Sequence, residues 1–154
     1  MRAAVRPNAL IGVIMKLKII LLIGVIAIIS AVTANGQRLE DGSRRTIGYI
    51  NSSGTVEDAS RRTLGYINSN GTVEDSSRRT IGYIREIGTV EDGSRRTIGQ
   101  INSSGSVEDG SRRTLGYVSS NGTVEDSSRR TIGYADNVAT EHVAAFFFFF
   151  FYKK

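Results

Sequence analysis

From Glu40 to Tyr134, short stretches of alternating apolar and polar residues return every 17 positions, each bounded by glycine and small polar residues. The units begin at Glu40, Glu57, Glu74, Glu91, Glu108 and Glu125, and five are complete. Their common text is E-D-x-S-R-R-T-[IL]-G-Y-[IV]-N-S-x-G-[ST]-V. A period held without drift marks one supersecondary unit used repeatedly. Within a unit, R-R-T-I-G-Y-I reads as a β-strand with Ile47 and Tyr49 on one face and Thr46 and Gly48 on the other. The following N-S-S-G or N-S-N-G predicts a hairpin turn whose Asn and Gly take up positive φ. A second short strand, T-V-E-D, carries one apolar residue such as Val56, and D-x-S turns the chain toward the next Arg pair. A glycine and a turn cluster in every unit argue against helix. Departures from the pattern are few. Gln100 replaces the Tyr seen at 49, 66, 83, 117 and 134, and Arg85-Glu86-Ile87 replaces N-S-x.

A lone hairpin cannot bury its apolar face, so the units must share a core. Six R-R-T-I-G strands and five T-V-E-D strands make 11, and residues 36–41 (GQRLED) match the second strand of a preceding unit with one extra residue, making 12. An even meander with matching ends can close on itself and so remove its exposed edges. The expected fold is therefore all-β: a closed, radially symmetric, shallow barrel of about 12 short antiparallel strands in six hairpins. An open solenoid is the other arrangement the pattern allows.

After Tyr134 the repeat stops and the text becomes ADNVATEHVAAFFFFFFYKK. Phe146, Phe147, Phe148, Phe149, Phe150 and Phe151 are all the phenylalanines of the chain. Asp136 or Asn137 suits a helix N-cap, Glu141 the early turns, and Lys153 and Lys154 a C-terminus. A helix over residues 137–152 would be about 24 Å long. Its second half is apolar all round, as in a helix buried in protein or in lipid. A ring of about 12 strands is wider than its own side chains can fill, and the repeats offer only residues such as Ile47, Tyr49 and Val56 to fill it. The tail is thus expected as a hydrophobic helix plugging the lumen. A frayed or frame-shifted end is the plainer reading of the same homopolymer.

The repeated RRTIGYI and NSSGTVED units, with a Phe-rich tail behind a leader, resemble the bacterial β-flower family over residues 36–152. The resemblance implies shallow barrels of repeated hairpins, similar in architecture to tubby C-terminal and scramblase-like domains, in which a C-terminal helix threads a 12-stranded barrel. It implies a fold and no particular activity. Tubby-like domains bind phosphoinositides at membranes, but no motif of these repeats matches their lipid site residue by residue.

The remaining segment, residues 1–34, looks like a targeting extension. Lys16 and Lys18 precede an apolar run from Ile19 to Ile29, followed by Ser30, Ala31 and Ala34, with Val32 and Ala34 placed for cleavage before Asn35. Met15 opens a complete signal peptide by itself. The competing reading is a retained anchor, although the stretch from Leu17 to Val32 is short of the roughly 20 residues needed to span a bilayer. Three segments result: 1–34 as extension and signal peptide, 35–135 as barrel, and 136–154 as Phe-rich helix. The product is expected in the periplasm, at the cell surface or outside the cell.

Charge changes the picture less than the net value of +5 suggests. Four of the 20 basic residues (Arg2, Arg6, Lys16, Lys18) lie in the first 18 positions, which hold no acid. Without them, sixteen basic residues face fifteen acidic ones, so no nucleic-acid partner is expected. With no Cys there is no disulfide framework or cysteine nucleophile, and one His excludes a multi-histidine metal centre. A calcium site lacks the D-x-D-x-D spacing, and no metal or cofactor is expected. His142 has no evident partner for general-base chemistry, and the Ser and Asp of identical repeats lack the base and orienting group that a nucleophile needs. The chain is read as non-enzymatic. The sequons at Asn51, Asn70, Asn102 and Asn121 are accounted for by turn chemistry.

The remaining candidate chemistry is a rim of arginine pairs: Arg44 and Arg45, Arg61 and Arg62, Arg78 and Arg79, Arg95 and Arg96, Arg112 and Arg113, Arg129 and Arg130. Each pair follows an acidic pair, so the plain reading is a ring of self-compensating ion pairs. The functional reading is a multivalent surface for anionic head groups or glycans. Together these features predict an exported, membrane-associated envelope protein whose partner is lipid or another envelope component. An anionic lipid-binding module, a structural or adhesive surface protein, and a small-ligand carrier with room in its lumen are the alternatives.

Overall fold

The computed structural model describes residues 36–152. The expected leader and its cleavage site, together with Lys153 and Lys154, lie outside the described residues. The β-branched, aromatic stretches form strands of five residues and the T-V-E-D stretches strands of four. In chain order they are β1 (Gln37–Asp41), β2 (Thr46–Ile50), β3 (Thr55–Asp58), β4 (Thr63–Ile67), β5 (Thr72–Asp75) and β6 (Thr80–Ile84). Then come β7 (Thr89–Asp92), β8 (Thr97–Ile101), β9 (Ser106–Asp109), β10 (Thr114–Val118), β11 (Thr123–Asp126) and β12 (Thr131–Ala135). Each pairs antiparallel with its sequence neighbours, and β1 pairs with β12, so the 12 strands form a closed barrel and no edge remains. The closing pair repeats the register inside the hairpins. Gly133 faces Asp41 and Tyr134 faces Glu40, just as Gly48 faces Asp58 and Tyr49 faces Glu57.

Two kinds of three-residue turn alternate around the barrel. At one mouth Gly54 donates its N–H to Asn51 O (2.9 Å), Asn51 donates to Thr55 O (3.1 Å), and Gly54 takes φ +82°. At the other mouth Arg44 donates to Asp41 O and Asp41 to Arg45 O, both at 2.9 Å. Here the left-handed position is occupied by an arginine, with φ of 63° at Arg44 and 64° at Arg61. The expectation that Asn would share the positive φ is corrected: Asn51 instead accepts from the Ser53 and Thr55 amides with its side-chain oxygen. Where a strand crosses to its neighbour through an arginine turn, a bulge inserts one extra residue. Leu64 is skipped between the pairs Glu57–Thr63 and Val56–Gly65.

Burial follows from the pleat. In β2, Gly48 and Ile50 are buried and Tyr49 is half-buried, so Gly48 and Ile50 face the lumen with Val56, and Tyr49 lies on the outer face. The inward assignment of Tyr49 is therefore reversed. Ile47, the bulged residue, is half-buried against the core. Two rings of side chains line the lumen: Ile50, Ile67, Ile84, Ile101, Val118 and Ala135, and Leu39, Val56, Val73, Val90, Val107 and Val124. Ala135 is the small member, at the point where the chain leaves the wall and turns inward.

The turn inward uses a left-handed Asn137 (φ 59°), and helix α1 (Thr140–Ala144) begins after Ala139 with no side-chain cap. The expected caps at Asp136 or Asn137 are thus not used, and the helix is shorter than residues 137–152. From Ala145 to Phe150 it widens into a π-helical coil. The Phe151 and Tyr152 amides both donate to Phe146 O, the latter at 2.9 Å.

The widening has a geometric cause. Phe146 packs on Gly48, Phe147 on Gly133, Phe148 on Gly116, Phe149 on Gly99, Phe150 on Gly82 and Phe151 on Gly65. These glycines belong to β2, β12, β10, β8, β6 and β4, which follow one another around the barrel. Consecutive side chains therefore advance one repeat per residue, whereas an α-helix of about 3.6 residues per turn would overshoot. The strand glycine is what allows the approach: a β-carbon at Gly82 would lie 2.5 Å from Phe150 Cε1 and 2.6 Å from Glu91 O.

Candidate functional site: the arginine mouth

The Asp-x-Ser-Arg-Arg turns build one mouth of the barrel. In each, the aspartate caps its own turn. Asp75 Oδ1 accepts from the Ser77 amide (2.8 Å) and the Arg79 amide (3.0 Å), while Oδ2 accepts from Arg79 Nε (2.7 Å). The same set recurs at Asp41, Asp58, Asp92, Asp109 and Asp126. Hydrogen bonds to the ionised form favour it. The amide of the second arginine, helped by its guanidinium and the Ser amide, holds each of these carboxyls below the ordinary aspartate range against a partial desolvation.

The two arginines of a pair do different things. The second one (Arg45, Arg62, Arg79, Arg96, Arg113, Arg130) bonds its own aspartate at 2.7–2.9 Å, with its side chain about 80% exposed. The first one sits at the left-handed turn position and folds back over the outer face. Arg44, Arg61, Arg78 and Arg129 place their guanidinium carbon 3.4 Å from the ring centroids of Tyr134, Tyr49, Tyr66 and Tyr117. They also donate to Glu40, Glu57, Glu74 and Glu125 at 3.1–3.3 Å. A non-glycine residue in this conformation is strained and persists only where its surroundings over-determine it; the aspartate-capped turn shared by all six repeats does so, since Arg112 keeps φ 62° with neither stack nor ion pair among the described residues. Arg95 lies 4.4 Å from Tyr83. Its glutamate, Glu91, is taken by Arg85 at 2.5 Å, and that hydrogen bond holds the Glu91 carboxyl low and the Arg85 guanidinium high. Arg112 has Gln100 where the others have a ring.

The phenylalanines lie at the same mouth. Each packs on a glycine whose cross-strand partner is the aspartate that opens an arginine turn, as Gly48 does with Asp58 and Gly65 with Asp75. Phe146 and Phe147 are buried, whereas Phe148, Phe149, Phe150, Phe151 and Tyr152 are only half-buried. The centre of the mouth is thus an aromatic disc, and its rim is a ring of arginine–carboxylate pairs. The opposite mouth is polar. Glu141 and His142 stand beside the N-S-x-G turns, bordering clefts with Asn70, Glu86 and Ile87 and with Ser52, Gly54 and Asn68. Burial pushes the His142 imidazole down, with Glu141 pulling the other way. Ile87, in the aberrant R-E-I turn, is 80% exposed.

The structure brings all twelve rim arginines and all six phenylalanines to one end of the barrel, and it engages eleven of those arginines with carboxylates or tyrosines of the chain itself. Sequence reasoning missed the outward tyrosines as platforms. It also missed the pairing of one phenylalanine with each repeat, although the match between six Phe and six repeats was countable. Among the described residues no group of three or more His, Cys, Asp or Glu is placed to hold a metal ion, and no helix is long and apolar enough to cross a membrane. A protein-family model described as "5-fold beta-flower protein" matches residues 36–151. No curated protein and no solved structure matches the chain.

Proposed function

Because the chain belongs to the 5-fold beta-flower family, here with six arginine turns in a ring of 12 strands, we propose that it is an exported, non-catalytic envelope module that docks on a membrane surface through its arginine mouth. The observation that carries this reading is the half-buried aromatic disc of Phe148–Tyr152 at the centre of that mouth. Aromatic groups favour the membrane–water interface, and long arginine side chains cover apolar surface while keeping their heads in water. Lys153 and Lys154 follow the disc in sequence and the leader pattern of residues 15–34 supports export. The single imidazole lies at the other mouth, which supports the non-catalytic part of the reading.

The state of the arginines decides between insertion and charge attraction. Rim acids and arginines compensate each other, so attraction to anionic lipid is expected to be secondary to aromatic insertion. The second reading, anionic head-group binding, is favoured by the roughly 80% exposure of the Arg45-type side chains. It requires an anion to compete with aspartates already bonded to them.

Tyr152→Trp tests both, because the chain has no other Trp. Flotation of the exported protein with phosphatidylcholine vesicles, and a blue shift of Trp emission that survives high salt, are expected. Binding restricted to phosphatidylglycerol vesicles and abolished by salt would favour the head-group reading. Protein that stays out of both lipid fractions with unchanged emission sinks membrane docking, leaving a structural or adhesive role.

A further inference from the structure

The sixfold pattern of the outer face loosens at Arg95, which keeps its tyrosine but not its glutamate, and fails altogether at Arg112, where the failure leaves a cleft. At Arg44, Arg61, Arg78 and Arg129 the guanidinium has two partners, a tyrosine ring at 3.4 Å and a glutamate at 3.1–3.3 Å. At Arg112 both are missing. Gln100 stands in the ring's place, and its carboxamide is turned away toward the other mouth. There it accepts from Thr89 Oγ1 (3.0 Å) and donates to Ile87 O (2.6 Å). Glu108 accepts from Asn102 Nδ2 at 3.2 Å instead. Among the described residues, Arg112 has no ion pair and no aromatic partner. The space left behind is a cleft of about 380 Å³ lined by Thr97, Gly99, Gln100, Asn102, Glu108 and Arg112. That volume is at the small end of the range for ligand sites, suited to a single ring.

We propose that this cleft binds one neutral phenolic ring, which takes the position under Arg112 that tyrosine occupies in the neighbouring repeats. The chemistry follows from the walls. The Arg112 cation attracts a ring face, and Glu108 and Asn102 offer acceptors to a phenolic hydroxyl. The adjacent Glu108 and Asp109 carboxylates disfavour an aromatic acid. The ring can come from a free phenol or from a tyrosine side chain of a polypeptide.

The test is a titration of the protein with p-cresol, followed by the arginine Nε–Hε and Gln side-chain amide signals in nitrogen–proton correlation spectra. Saturable shifts are expected at Arg112 and Gln100 and not at Arg44, Arg61, Arg78 or Arg129. Gln100→Tyr fills the cleft with the residue five sibling positions already carry, so it is expected to fold and to weaken p-cresol binding more than tenfold. Arg112→Gln, which leaves the cleft open, should weaken it several-fold, and 4-methylcyclohexanol should bind several-fold more weakly than p-cresol. N-acetyl-tyrosinamide separates the sources. Binding as tight as that of p-cresol points to a polypeptide tyrosine, and its exclusion points to a free phenol. Equal shifts at all six arginines, undiminished binding by Gln100→Tyr, or no saturable shift at Arg112 overturns the proposal.

Discussion

If the phenylalanine coil is the core of the barrel, Phe146→Ala should be among the most damaging single substitutions in the chain. Phe146 is 1% exposed and packs its ring tip against Gly48, whose β-carbon would stand 3.4 Å from its Cζ. Its ring centroid lies 5.3 Å from that of Phe147, 6.0 Å from Tyr152 and 6.3 Å from Phe151. Truncating a fully buried Phe removes its transfer free energy and leaves a cavity, together about 3–5 kcal/mol. The lumen wall is a closed barrel of 12 strands and has little freedom to collapse, so the upper part of that range, about 4 kcal/mol, is expected. Phe149 is half-buried and has one ring neighbour, Phe150 at 6.3 Å. Phe149→Ala should cost about half as much, roughly 2 kcal/mol. For a domain of this size about 4 °C of melting temperature accompanies each kcal/mol, so the two variants should melt about 15 °C and 8 °C below the parent. Urea titration followed by circular dichroism, beside thermal melts at the same pH, measures both. Losses below about 1 kcal/mol at Phe146, or equal losses at the two positions, would refute the packing argument.

Three further outcomes follow from the same geometry. Deleting Phe149 shifts Phe150–Tyr152 by one repeat and brings the hydroxyl-bearing ring of Tyr152 to Gly65, the site of Phe151, so it should cost as much as a core cavity, about 3 kcal/mol, whereas Phe149→Leu should cost less than Phe149→Ala; melting temperatures decide. Arg61→Ala loses the Tyr49 stack and the Glu57 pair while keeping the strained φ of 64°. Arg61→Gly loses the same contacts but relieves the backbone, so in denaturant melts it should be about 1 kcal/mol less destabilising than Arg61→Ala. Acid should weaken the fold in two stages. His142 has a depressed folded pKa, so the unfolded chain binds more protons below the ordinary imidazole value of 6.5 and stability falls gently from there. The six capping aspartates are also depressed, so their contribution is complete above their unfolded value of 3.8 and is lost as pH drops below it. Melting temperature against pH should show both limbs, and His142→Gln should abolish the first one alone.

Much of the architecture was legible because it is local chemistry repeated. The 17-residue period, the turn at each end of a hairpin and the even strand count are properties of neighbouring residues. The match between residues 36–41 and the T-V-E-D strands allowed closure beside an open solenoid, and the structure closes the ring by pairing Leu39 with Ala135. The candidate site was legible as composition, a set of arginine pairs and a Phe run, but not as a surface. Strand alternation says that Tyr49 and Gly48 face opposite ways, yet not which of them faces in. The apolar content of Ile47 and Tyr49 suggested the wrong side, because the bulge at Ile47 and the need to admit a phenylalanine at Gly48 are not visible in a period of two. The left-handed arginines were hidden for a similar reason, since that position usually holds Gly and here an aspartate-capped turn holds an arginine in it.

The sequence alone therefore determined the repeat, the strand number and the presence of an apolar tail, since each depends on residues a few positions apart, whereas closing the ring joins β1 to the distant β12. The tertiary structure decided which face is core, where the charges find partners and what shape the tail takes. Nothing in the local propensities of the A-A-F-F-F-F-F-F run favours a coil wider than an ordinary α-helix. Inside six hairpins it widens from Ala145 to Phe150, because each ring must meet the next glycine around the barrel, and only the closed wall sets that spacing.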